Sequence, residues 1–80
     1  MQGITILPNP VNDNLNIRFE TLGNYEIYLY DINGKQLFKK NLTDSYEAGY
    51  ELSAYKTGVY FLVIIDRENK LLKQLKIVKL

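Results

Sequence analysis

Eighty residues, 46% apolar and 24% charged, suffice for one small globular domain and exclude a disordered tail. The absence of Cys, His and Trp excludes disulfide scaffolds, thiolate zinc sites, Cys nucleophiles and every triad that uses His. The net charge of +1 argues against a nucleic-acid binder, and no apolar run reaches the roughly 20 residues of a transmembrane helix.

Only two residues are Ala, whereas seven are Tyr, eight Ile, four Val and four Thr. Aromatic and β-branched side chains pack well on a pleated surface and lose rotamer freedom in a helix, so the composition predicts an all-β domain. In chain order, Ile4-Thr5-Ile6-Leu7 is a short strand that stops at Pro8-Asn9-Pro10. There the two prolines fix φ and remove two N–H donors. Asn12-Asp13-Asn14 reads as a polar turn. Leu15 to Glu20 alternates with the period of a half-buried strand, and Leu22-Gly23-Asn24 is expected to end it. Tyr25 to Asp31 is the next strand, with Tyr25, Ile27 and Leu29 on one face and Glu26, Tyr28 and Tyr30 on the other.

Asn33-Gly34 is a strong hairpin signal, because both residues tolerate positive φ. Lys35 to Leu42 is the return strand, and Lys39-Lys40 suits a protected edge. Thr43-Asp44-Ser45 reads as a turn, and Tyr46 to Leu52 as a strand with a bulge at Ala48-Gly49. After a connection ending at Gly58, Val59 to Ile65 is apolar on both faces, as expected of a central strand. Asp66 to Asn69 is a charged turn, and Lys70 to Leu80 is the last strand. A helical stripe of Leu71, Leu75 and Val78 competes there, but the central strand needs a partner. The expected architecture is a small antiparallel β-sandwich of six or seven strands.

Catalytic chemistry is scarce. The usual neutral-pH base is missing, and neither Ser45 nor Ser53 sits in a G-x-S-x-G elbow. The nine carboxylates read as strand-surface positions such as Glu20 and Glu26 or as turn residues such as Asp13, Asp44 and Asp66. Asn12-Asp13-Asn14 lacks the spaced acids of a calcium loop. Asn41-Leu42-Thr43 fits a glycosylation sequon that is short enough to arise by chance. Residues 70–80 carry four Lys and no acid, after a segment, 41–69, with five acids and two basic groups. No cofactor and no metal is implied, and the expected task is to be recognised by a protein partner.

Three segments in order resemble the C-terminal sorting domain, type A, of the type IX secretion system of Bacteroidota. They are Leu7-Pro8-Asn9-Pro10 with the strand that follows, Ile27 to Lys35, and Gly58 to Ile64 followed by a Lys-rich final strand. The resemblance covers about residues 4–80. It implies an immunoglobulin-like sandwich, residues 1–80 being one sorting domain behind an N-terminal cargo that lies outside this sequence. It also implies that an ordinary leader on the precursor delivers it to the periplasm. There the type IX translocon and outer-membrane shuttle proteins would recognise it. A sortase-like surface peptidase would remove it upstream of the sandwich, and the cargo would be released or joined to a lipopolysaccharide. Neither nucleic acid nor membrane insertion is expected.

Carried over by position, the resemblance assigns recognition to Pro8, Asn9 and Pro10, to Tyr30, Asp31, Gly34 and Lys35, and to Gly58, Val59 and Tyr60. Lys76, Val78 and Lys79 match the basic terminal strand used as the export signal. Val63, where many relatives carry a charge, and the apolar Leu80 depart from the pattern. The competing reading of the same residues is an immunoglobulin-like carbohydrate-binding or adhesion module that uses exposed tyrosines such as Tyr28 and Tyr50.

Overall fold

The computed structural model describes residues 3–7 and 11–80, which form five antiparallel strands and no helix. They are β1 (Ile4–Leu7), β2 (Asn14–Asp31), β3 (Gln36–Glu51), β4 (Gly58–Asp66) and β5 (Leu71–Lys79). The hydrogen-bonded order is β1-β2-β4-β5, with β3 also on β2. β2 accommodates three neighbours by dividing its length. Its first half lies between β1 and the second half of β3, and its second half lies between the first half of β3 and β4.

The seven segments read from the sequence therefore become five strands in one hydrogen-bonded sheet. Leu22-Gly23-Asn24 does not end a strand but lies within β2, and Thr43-Asp44-Ser45 lies within β3. Both are bends. An extended strand of 18 residues measures about 60 Å, yet the longest dimension of the molecule is 33 Å. β2 must therefore double over. The register shifts between Arg18 and Gly23 and again between Gly23 and Tyr25, and the facing Asp44 adopts a φ of 48°. A run of turn-forming residues reads as a break in one dimension, whereas the pairing continues across it on both sides of the bend.

The alternation passes the bend in phase. Leu15, Ile17 and Phe19 before it and Tyr25, Ile27 and Leu29 after it are all buried. Both halves of β2 thus feed one core, completed by Leu52, Tyr60, Leu62, Ile64 and Ile77, with Val11 fully buried among them. Each such aliphatic side chain contributes about 1.5–3 kcal/mol on burial, which makes the phase, rather than the strand count, the determinant of stability.

Other expectations hold. β4 is central, between β2 and β5, and the last segment is a strand paired with β4 from Gly58–Lys79 to Asp66–Leu71. Among the described residues β3 pairs with β2 alone, so Lys39 and Lys40 stand on an edge, where their charge opposes pairing with another strand. The bulge expected at Ala48-Gly49 is absent: Ala48 faces Ile17 and Gly49 faces Asn16 in regular register. The space Gly49 leaves is occupied by Asn16, whose Oδ1 would stand 3.0 Å from an added Cβ.

Candidate recognition site

Three of the four predicted residue groups meet at one end of the sheet. Asp31, the last residue of β2, pairs with Tyr60 near the start of β4, and Tyr30 pairs with Phe61. Across β4, Gly58 faces Lys79, Val59 faces Val78 and Phe61 faces Lys76. The hairpin group, the Gly58–Tyr60 group and the terminal strand are thus adjacent, although the chain separates them by up to 49 positions. Pro8, Asn9 and Pro10 lie outside the described residues. Val11, which follows them, forms a parallel bridge with Lys79 at this same end.

The residues of the hairpin group have distinct tasks. One carboxylate oxygen of Asp31 accepts the N–H of Asn33 and of Lys35, each at 2.9 Å. The Asp31 N–H reaches Lys35 O at 2.9 Å, and the Gly34 N–H reaches Asp31 O at 3.0 Å. Gly34 has a φ of 86°, which a Cβ would strain. Asp31 and Gly34 therefore shape the turn, while Lys35 projects into solvent.

The third group is built similarly. The buried Tyr60 donates its hydroxyl to Lys56 O at 2.5 Å, which ties the loop before β4 to the strand. Gly58 has a φ of 154° and nothing within 4 Å of where a Cβ would stand, so its backbone angle rather than close approach requires glycine. Between the 31–37 and 54–60 segments lies a cleft of about 490 Å³, lined by Asp31, Ile32, Leu37, Tyr55, Lys56 and Gly58 among others. In the terminal strand Lys76 and Val78 are exposed, whereas Lys79 is buried at 5% exposure. Val63 is half-buried, and Leu80 is exposed.

The carboxylates with displaced pKa values lie at the opposite end and act as anchors. The Tyr28 hydroxyl donates to Glu26 at 2.7 Å, and Lys39 and Arg67 stand 3.6 and 3.8 Å away. These contacts, the hydroxyl first, hold the Glu26 carboxyl below its usual range. The same bond raises the Tyr28 hydroxyl. The Asn69 side-chain amide donates to Asp66 at 3.0 Å, and the Glu68 and Asn69 N–H groups add to it, which lowers Asp66 as well. Groups held in their charged form this way are poor proton donors. Among the described residues no three potential ligands cluster as a metal would need.

Six of the seven tyrosines have aromatic neighbours, whereas Tyr46 is exposed. Tyr25 stacks on Phe19, Tyr50 tilts against Phe38, and Tyr55 tilts against Tyr60. Tyr28 has Tyr30 to one side and the Lys39 ammonium over its ring at 5.5 Å. The Tyr50 hydroxyl is buried without a partner, and burial raises its pKa. Tyr28 and Tyr50 are both half-buried, each beside another ring.

Two features escaped the sequence reading. Val11, fully buried and bridged to Lys79, belongs to no element expected from the sequence, though an apolar residue between two polar turn clusters is a signal. The Tyr60–Lys56 bond had no signal beyond the i, i−4 spacing.

Residues 5–79 match the family described as the secretion system C-terminal sorting domain. Over 76 residues, 95% of this chain, the sequence is 26% identical to an endo-acting ulvan lyase of Formosa agariphila, of whose length it spans 15%. The match over nearly every residue makes this chain a member of the secretion-system C-terminal sorting domain family: a non-catalytic signal by which larger proteins are exported through type IX secretion to the cell surface or beyond.

Proposed function

We propose that the end of the sheet bearing Tyr30, Lys35, Val59, Lys76 and Val78 is the surface the type IX machinery reads. The observation that carries this is the convergence of three motifs, distant in sequence, on neighbouring register positions. Lys35, Lys56 and Lys76 give that end exposed positive charge, and charge of one sign steers encounter with a complementary partner. The partners are the outer-membrane translocon and its shuttle proteins, and a sortase-like peptidase acts upstream. Residues 1–80 serve as one domain, with Pro8, Asn9 and Pro10 leading into it from the cargo. Asp31, Gly34, Gly58 and Tyr60 act by shaping the surface rather than by touching the partner.

The bent sheet is further read as an immunoglobulin-like sandwich whose two halves are the two halves of β2 with their neighbours. Three features support this. One core is shared by both halves. The segment after β1 pairs in parallel with the last strand. A tyrosine near the start of β4 bonds back to the preceding loop, as at the corner of such sandwiches.

The test is a fusion of residues 1–80 to an inert periplasmic reporter in a host with type IX secretion. The reporter is expected at the surface or in the medium. Retention in the periplasm refutes the reading.

A further inference from the structure

The residue that opens the segment between β1 and β2 on the described chain is fastened to the end of the last strand. The Val11 N–H donates to Val78 O at 2.9 Å, and the Leu80 N–H donates to Val11 O at 2.9 Å. Val11 is fully buried in the core. On this side, these two bonds are the backbone ties of the terminal strand among the described residues, since β5 otherwise pairs with β4 alone.

Lys79 lies under this fastening. It sits opposite Gly58, bridges to Val11 and is 5% exposed. Its ammonium reaches Leu80 O at 3.4 Å, and the ion pairs among the described residues do not include it. Its stem is packed under the segment that holds Val11, and Leu80 O is the acceptor its ammonium has. Lys70, Lys73 and Lys76 on the same strand or its turn are exposed.

We propose that Val11 is a clasp. Closed, it hides Lys79 and holds the end of the terminal strand. Open, it presents the Lys79 ammonium together with a free strand edge to a partner that supplies a carboxylate and a strand of its own. Because the clasp joins the segment between β1 and β2 to the terminal strand, a partner that captures the freed strand loosens that segment. By linkage, loosening that segment favours capture. This rests on the proposed role of the terminal strand in recognition, but the state of the clasp is measurable without export.

Lysine acylation by an N-hydroxysuccinimide ester, read by mass spectrometry, tests it on the 80-residue chain. Lys79 is expected to react about five- to tenfold more slowly than Lys70, Lys73 and Lys76. Val11→Pro, which removes the donor to Val78 O, is expected to raise Lys79 reactivity to that of its neighbours while the amides of Ile27 and Leu62 stay protected from exchange. Equal reactivity of Lys79 in the unaltered chain overturns the clasp, and so does unchanged slow reaction in a folded Val11→Pro variant. If Val11→Pro unfolds the core, deletion of Leu80 replaces it. Faster exchange at the Val11 amide then supports the clasp, and an unchanged rate overturns it. Failure of the reporter fusion with a closed and openable clasp would refute the recognition role alone.

Discussion

The rings of Phe19 and Tyr25 stack with centroids 3.8 Å apart and planes 7° apart, although both belong to β2. In a straight strand, residues six apart stand about 20 Å from each other. The stack is therefore the inside of the bend, and Tyr25 fastens it by donating its hydroxyl to Thr21 O at 2.9 Å. Gly23 makes room: a Cβ there would stand 2.9 Å from both Tyr25 Cζ and its hydroxyl oxygen. Gly23→Ala is expected to destabilise the domain by about 1–3 kcal/mol by forcing the rings apart. Urea unfolding checks this, and an unchanged midpoint would show that the bend does not need the glycine.

Tyr60→Phe removes the bond to Lys56 O and leaves the ring in the core. The expected loss is about 0.5–1.5 kcal/mol, or several degrees in Tm for a domain of this size, roughly 4–8 °C per kcal/mol. Calorimetry on the two proteins decides it.

Asp31→Ala leaves the N–H groups of Asn33 and Lys35 without their shared acceptor. Those groups are exposed, so water replaces part of the loss, and about 1 kcal/mol is expected. Gly34→Ala strains a φ of 86° and costs a similar amount, about 1 kcal/mol. If both variants match the parent in denaturant midpoint, the hairpin group owes nothing to turn geometry.

Glu26 and Asp66 both have carboxyl pKa values lowered in the folded state. Groups of this kind contribute stability that is complete above the unfolded-state value, near pH 4, and is lost as pH falls through the depressed folded value. Urea midpoints are therefore expected to hold steady from pH 7 to about 5 and to drop below about 4. Asp66→Asn is expected to flatten that acid limb. An acid limb equally steep in the variant would remove Asp66 from the cause.

Lys76 and Lys79 separate recognition from folding. Exposed Lys76→Ala should leave stability within about 0.5 kcal/mol and lower export of a fused cargo. Deleting Leu75 to Leu80 should lower both, because Ile77 belongs to the core and every residue of the segment up to Lys79 pairs with β4. Export assays beside melting curves distinguish the two.

Much of this domain was already determined by its residues in order. Period-two alternation assigned the inward residues Tyr25, Ile27 and Leu29, the double-faced apolar run marked β4 as central, and Asn33-Gly34 located the hairpin. These are local effects, set by side-chain period and by glycine's freedom at positive φ. Tertiary structure decided whether Leu22-Gly23-Asn24 and Thr43-Asp44-Ser45 end strands or bend them, because that depends on whether a paired neighbour bends alongside. It also decided that Val11 meets Lys79, and that Lys79 is buried while Lys76 is exposed. The alternation of a strand tells which residues share a face, but only the assembled sheet shows what covers that face.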